Sequence, residues 1–274
     1  MSIKTNELQQ LNAPQGVDSI LLDSLTAGTG RLSLSSLAQF LTEQDNAVKT
    51  ALSNKVSKTT RSDIYVTKTG NDETGDGSET APYLTIQKAV NSIGYILDLP
   101  VVLHIGAGTY DETVVIGLIL GCKITIDCAQ NEDGTPAVRV ASVEIFLCNS
   151  VISITNMEFY GKNANYSAIY ITHSGPLVLT NAVCETVDAD RNRGAVYASY
   201  NNRVYLRRCT ISNQVCAVHA MGTTVYLDAG TTGEHNTVSL RAGSGWGSCG
   251  ATIIKGSSTI VGATEVKECG GQIF

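Results

Sequence analysis

Charge and proline are both scarce in this sequence, and both scarcities narrow the possibilities. Only 16% of its 274 residues are Asp, Glu, Lys or Arg, against 43% hydrophobic. Such a chain can bury a sizeable core and lacks the composition of a disordered one. Five prolines stand against 26 glycines, and many turns with few breaks suit an all-β chain of short strands. The formal net charge is −6 and no basic stripe stands out, so nucleic-acid binding has little electrostatic support. No run of about 18 apolar residues occurs, and no membrane span is expected. Met1 to Gln10 is polar, without the apolar centre of a secretory signal, which points to synthesis in the cytoplasm.

Neither a Cys-x-x-Cys pair nor a Cys/His cluster with zinc spacing is found. The eight cysteines are Cys122, Cys128, Cys148, Cys184, Cys209, Cys216, Cys249 and Cys269. In a reducing compartment most of them read as small buried residues in or beside strands. Cys249 and Cys269, near the C-terminus, should be the most exposed. His104, His173, His219 and His235 are scattered, and none pairs with a serine or cysteine nucleophile.

What is present falls into three textures. Residues 1–60 are polar. Asp18 to Leu25 is a short apolar element ended by Ala27-Gly28-Thr29-Gly30. A helix is expected next, capped by Ser33 or Ser36, the latter opening a Ser-x-x-Gln capping box. Leu34, Leu37, Leu41, Val48, Leu52 and Val56 follow one helical face. So narrow a stripe needs a partner, either the same helix from other copies in a short trimeric bundle or the body of its own chain. Ser57 to Asp63 reads as a linker.

From residue 64 the sequence is rich in motifs. A strand, Ile64-Tyr65-Val66-Thr67, leads into Gly70-Asn71-Asp72-Glu73-Thr74-Gly75-Asp76-Gly77. Ala81-Pro82-Tyr83-Leu84-Thr85-Ile86-Gln87-Lys88-Ala89 follows, then a strand at Val101–Ile105 and Gly106-Ala107-Gly108-Thr109-Tyr110-Asp111-Glu112. Leu84 or Ile86, with Ala89, Val90 and Ile93, traces the apolar face of a short helix. Over residues 64–117 this order resembles the opening of the pectate-lyase-like superfamily. The resemblance implies a right-handed, single-stranded parallel β-helix whose Thr-Ile-Gln-x-Ala helix caps the open end. It does not imply an activity, because enzymes, tailspikes and adhesins share that opening. The calcium-binding aspartates and catalytic arginine of pectate lyases cannot be placed one by one on this chain.

Two strand types then recur. One is Ala168-Ile169-Tyr170-Ile171, Ala195-Val196-Tyr197-Ala198, Ala217-Val218-His219-Ala220 and Ala251-Thr252-Ile253-Ile254. The other runs Ile124-Thr125-Ile126, Ile152-Ser153-Ile154, Leu177-Val178-Leu179, Val204-Tyr205-Leu206, Val225-Tyr226-Leu227 and Thr259-Ile260-Val261. Starts of the second type are 28, 25, 27, 21 and 34 residues apart. Such spacing suits one coil of a parallel solenoid with corner loops of variable length and is too long for hairpins. Alternation sends the outer two residues of each triplet inward and the middle one outward.

The same alternation points two ladders outward: Tyr170, Tyr197, His219 and Val178, Tyr205, Tyr226. Exposed aromatic rows suit sugar rings, a contact face between protomers, or cover by the chain's own loops. Trp246, the sole tryptophan, lies in a glycine-rich stretch and either serves a ligand or plugs a corner. Glu185, Asp188 and Asp190, followed by Arg191 and Arg193, form the best acid/base cluster, with a solvated corner loop as the plain alternative. Asn71, Asp72 and Asp76 are oxygen-rich enough for calcium, and Asx turns explain them equally. No other cofactor is indicated.

Leu11-Asn12-Ala13-Pro14, Asp18–Leu22, Gly28-Thr29-Gly30-Arg31 and Leu34–Leu41 resemble the opening of phage tail and baseplate appendage proteins. Joined to the β-helix, this implies a phage tail-fibre or tailspike-type virion protein, usually a homotrimer. Residues 1–60 would attach to a baseplate or tail protein, and residues 61–274 would present a surface to a host receptor or glycan. The alternative is a tailspike depolymerase, hydrolase or lyase, using the 185–190 loop.

Overall fold

The chain divides into two compact units, residues 1–56 and 57–274. The computed structural model describes residues 62–161, 167–184, 194–200, 203–228, 230–243 and 250–274, with the backbone of 19–24 and 28–33. In the first unit β1 (Ser19–Ser24) and β2 (Gly28–Ser33) form an antiparallel pair with Ser24 opposite Gly28. Gly28-Thr29-Gly30, read as the end of the first apolar element, thus opens a strand of its own. The expected helix over residues 34–56 lies outside the described residues.

The second unit is a parallel β-solenoid. It opens with β3 (Asp63–Val66), the short helix α1 (Ile86–Ser92) and β4 (Ile96–Leu97). The next coils are β5 (Val101–Ile105) and β6 (Gly108–Gly117), then β7 (Leu120–Gly121), β8 (Ile124–Cys128) and β9 (Val138–Phe146). Three-strand coils follow: β10 (Ile152–Thr155), β11 (Met157–Phe159) and β12 (Ile169–Thr172); β13 (Leu177–Thr180), β14 (Val183–Cys184) and β15 (Val196–Ser199); β16 (Val204–Arg207), β17 (Thr210–Ile211) and β18 (Cys216–Met221). The last are β19 (Thr224–Leu227) with β20 (Thr232–Ala242), β21 (Thr252–Ile254) with β22 (Thr259–Lys267), and β23 (Gln272–Ile273).

Nine strands stack in the order β3-β5-β8-β10-β13-β16-β19-β21-β23, all parallel. The other large sheet contains long strands that turn a corner. β11 and β12 both pair with β9, the first over Val138–Val140 and the second over Val143–Phe146.

The core follows from alternation. Ile64, Leu103, Ile126, Ile154, Leu179, Leu206 and Leu227 lie in one register row, and Val101, Ile124, Ile152, Leu177, Val204, Val225, Ile253 and Ile273 in the next. All are buried. Burying each such side chain contributes roughly 1.5–3 kcal/mol. The ten outer residues of the first five triplets, Ile124 to Leu227, are inside as expected, whereas Val261 of the sixth is 60% exposed. Among the described cysteines all are free thiols, with five buried, Cys122 half-buried and Cys269 exposed. Burial pushes the Cys209 thiol up to about 11 and that of Cys216 to about 12.

One detail of the repeat differs. Ile253 stacks on Val225, 28 residues earlier, whereas Thr259 pairs with Thr232. Residues 251–254 therefore belong to the second strand type, and Thr259 falls in the row of Thr210 and Thr232 rather than in either type. A 28-residue coil matches its neighbours and a 34-residue one does not.

The motifs of residues 64–117 build the cap. Tyr65 and Tyr83 exchange backbone hydrogen bonds with the 65–83 loop: Tyr65 N donates to Gly77 O at 2.9 Å, Tyr83 N to Tyr65 O at 2.9 Å and Thr67 N to Tyr83 O at 2.9 Å. The loop thereby covers the edge of β3. Ile86 and Ala89 of α1 are fully buried, while Leu84, the other residue weighed for that face, stays outside at 36% exposure. Thr85 caps the helix, and the Glu112 carboxylate accepts from Ile86 N at 2.8 Å and Gln87 N at 2.9 Å. The Gln87 amide clamps both backbone groups of Val115.

Asp72 accepts from Leu84 N (2.8 Å), Thr85 N (3.1 Å) and the Thr85 hydroxyl (2.6 Å). Burial raises its pKa, but the bonds from Thr85 and Leu84, helped by Lys88, outweigh that and hold it below the usual carboxylate value. A depressed folded pKa means stability that is present above the unfolded value of about 3.9 and lost as pH falls through the folded one. The thermal midpoint should therefore drop below about pH 4, and Asp72→Asn should lower the midpoint at neutral pH while flattening this acid limb. Calorimetry from pH 7 to pH 2.5 checks both.

Candidate functional site

The middle residues of the triplets stand on the outer wall of the nine-stranded sheet, held there by the same register that stacks the core. One outward row is Asp63, Val102, Thr125, Ser153, Val178, Tyr205, Tyr226 and Ile254. The adjacent row is Tyr65, His104, Asp127, Thr155, Thr180 and Arg207. Neighbouring strands lie about 4.8 Å apart, so the wall sets polar groups at a constant rise along the solenoid, interrupted by Val102, Val178 and Ile254 and with Ser153 buried.

At one end the Tyr205 and Tyr226 rings stack with centroids 4.9 Å apart and planes 12° from parallel. Both are half-buried. The stacked faces cover each other and leave ring edges and hydroxyls outward. The Arg207 guanidinium lies 5.7 Å from the Tyr205 centroid and pairs with Asp228 at 2.9 Å. A hydrogen bond to Tyr205 raises the Arg203 pKa.

Toward the other end is an open groove of about 280 Å³ lined by Tyr65, His104 and Asp127 among others. Tyr65 stacks on His104 at 4.7 Å, and His104 Nε2 contacts Asp63 Oδ1 at 2.9 Å. That bond, with one from Ser62, lowers the Asp63 pKa. The Thr155 hydroxyl donates to Asp127 at 2.8 Å. An imidazole between two carboxylate-bearing coils can orient a hydroxylated ligand or move a proton. The sequence reading missed this cluster, because its members stand 41 and 23 residues apart and meet only once the coils stack. With the register known, alternation alone would have found it.

On the other large sheet Tyr170, Tyr197, His219 and Arg241 also share a row, preceded by Glu144. Tyr170 and Tyr197 stack at 5.3 Å, and Tyr197 meets His219 edge-on at 5.0 Å. This row is not the open face that alternation suggested. Tyr197 is 8% and His219 6% exposed. The Tyr197 hydroxyl turns to the Met221 sulfur at 3.6 Å and His219 Nε2 to the Gly243 carbonyl at 2.8 Å. Tyr170 remains half-buried.

Asn71 Oδ1 accepts from Glu73 N and Thr74 N, and Asp76 Oδ1 from Ser78 N, which is Asx-turn geometry. Among the described residues no group of three or more His, Cys, Asp or Glu is placed to hold a metal ion. Glu185, Asp188, Asp190, Arg191, Arg193 and Trp246 lie outside the described residues. No described helix is long and apolar enough to cross a membrane. Comparison with protein-family models, curated proteins and solved structures finds no match.

Proposed function

We propose that the chain is a surface-attachment protein of the phage tail-fibre or tailspike type, whose nine-stranded wall binds a linear glycan. The observation that carries this reading is the pair of outward rows along the nine-stranded sheet, in which hydroxyl, carboxylate, imidazole, phenol and guanidinium groups stand at rung spacing over its length. An extended wall suits an extended polymer better than a compact ligand. Arg203 and Arg207 beside Tyr205 favour sugars bearing carboxylates. Residues 1–60 would fix the chain to the particle, and a homotrimer would present three walls, so that weak contacts gain through effective concentration.

The test is binding of the full chain to capsule or wall polysaccharides, with Tyr205→Ala/Tyr226→Ala beside it. Affinity should fall by about tenfold or more in the double variant. Equal binding by both proteins would remove the wall from the reading. A depolymerase is the second reading, and the His104–Asp63 pair beside Asp127 is the observation in its favour. New reducing ends or unsaturated uronate absorbance, lost in His104→Ala or Asp188→Ala, would select it.

A further inference from the structure

Each coil turns a corner between its last strand in the second large sheet and the next strand of the nine-stranded wall. In four coils a large side chain stands there on a left-handed residue: Leu118 (φ 62°), Leu147 (φ 53°), His173 (φ 47°) and Tyr200 (φ 51°). The His173 and Tyr200 rings stack with centroids 5.1 Å apart. In the coils that follow, glycines hold the corner, among them Gly222 (φ 60°), Gly243 (φ 95°) and Gly270 (φ 81°). Gly222 has to be small, because a Cβ there would come within 2.9 Å of the Tyr200 ring.

Where the large side chains end, an open cleft of about 340 Å³ begins, lined by residues 222–224, 250–252 and 270. Its two walls are joined by register, Thr224 of β19 opposite Thr252 of β21. Among the described residues that line it there is no carboxylate and no large aliphatic side chain. Binding pockets are mostly apolar. One lined by threonine, glycine and main chain suits a hydroxylated ligand instead.

Two larger groups stand at the rim. Tyr200 is 46% exposed and lies against Gly222. Arg203 is three residues further along. It directly precedes Val204, whose partner is Val225, so it falls in the outward row of Thr224 and Thr252. Its guanidinium is exposed and hydrogen-bonded to Tyr205, a phenol that carries no charge at neutral pH. Elsewhere in these coils Arg207, Lys255 and Arg241 each face a carboxylate, that of Asp228, Glu265 and Glu268 respectively. A guanidinium beside a hydroxyl-lined cleft offers paired donors that match a carboxylate in geometry.

We propose that this cleft takes one carboxylate-bearing sugar residue, its carboxylate on Arg203, its ring against Tyr200 and its hydroxyls on Thr224 and Thr252. A tyrosine ring can cover the apolar face of a sugar while its own hydroxyl stays in water. The wall then holds a glycan along its length, and the cleft selects one acidic residue of it. The proposal rests on the glycan reading for the polymer to which that residue belongs, and not for the cleft's own ligand.

Gly250→Gln in the full chain tests it by filling the cleft. Gly250 is not in the left-handed region, and a Cβ there would meet nothing nearer than the Gly270 carbonyl oxygen at 3.5 Å, so the fold is retained. Calorimetric titrations would use glucuronate, galacturonate and N-acetylneuraminate, the uncharged methyl ester of each, and oligosaccharides ending in each. The wild type should bind at least one acid about tenfold or more tightly than its ester. Gly250→Gln should abolish that binding. Arg203→Gln should erase the preference for acid over ester, and Arg203→Lys should restore part of it, all with an unchanged circular dichroism spectrum. No binding of any acid, equal affinity for acid and ester, or equal affinity of wild type and Gly250→Gln would each overturn the cleft. Tighter binding of an oligosaccharide than of its free acid would assign the ligand to a glycan end, and equal binding to a free sugar acid. Polysaccharide binding lost in Tyr205→Ala/Tyr226→Ala without any acid binding would keep the wall and remove the cleft. Acid binding abolished by Gly250→Gln in a chain that takes up no polysaccharide would keep the cleft and remove the wall.

Discussion

Leu179→Asp should abolish folding of the solenoid, whereas Val178→Asp, one residue away, should leave it folded. Leu179 points inward at 1% exposure between Ile154 and Leu206, and Val178 points outward between Ser153 and Tyr205. A carboxylate at position 179 would have no partner inside a stack of aliphatic side chains, and an uncompensated buried charge costs several kcal/mol. Even Leu179→Ala should cost about 2–5 kcal/mol, a large part of a total that is typically about 5–15 kcal/mol. Each coil touches only its neighbours, so a defect at β13 interrupts the stack in the middle. Denaturant titrations of the three variants decide the matter. Similar losses for positions 178 and 179 would mean that the two faces of the strand are not distinct.

That contrast also marks what was legible in the sequence. Triplets such as Leu177-Val178-Leu179 carry their alternation locally, and all ten aliphatic residues assigned to the interior are buried. The helix at Thr85-Ile86-Gln87-x-Ala89 was legible because its apolar face is local in the chain, and its place as a cap followed from the resemblance over residues 64–117. Relations between coils were not. Tyr65, His104 and Asp127 line one groove, with Asp63 bonded to His104, only because coils of unequal length bring them together. The left-handed backbone of Leu118 and Leu147 was not legible either, since nothing in a leucine announces it. The acidic residues 185–190 stand out by composition, yet acidity in one stretch does not say what it faces.

Gly70→Ala should release the cap and expose the sheet beneath it. A Cβ at residue 70 would lie 2.1 Å from the Tyr83 carbonyl oxygen and 2.7 Å from that of Pro82, both main-chain atoms held in the loop. Neither can rotate away as a flexible side chain would. Asn71 N donates to Pro82 O and Thr67 N to Tyr83 O, so displacing this segment breaks the bonds that cover β3. The expected loss is about 2–4 kcal/mol, from two or more hydrogen bonds and the packing of Tyr83. The larger consequence is association. β3 ends the nine-stranded sheet, and an uncovered parallel edge offers unpaired N–H and C=O groups to any other strand. Hydrogen exchange should quicken at Tyr65 and Thr67 first, and the variant should form large aggregates at concentrations where the wild type does not. Protection at those two amides equal to the wild type would show that the loop is not what guards the edge. The glycine would then owe its place to the loop's own conformation, and the opening motif would have to be explained without edge protection.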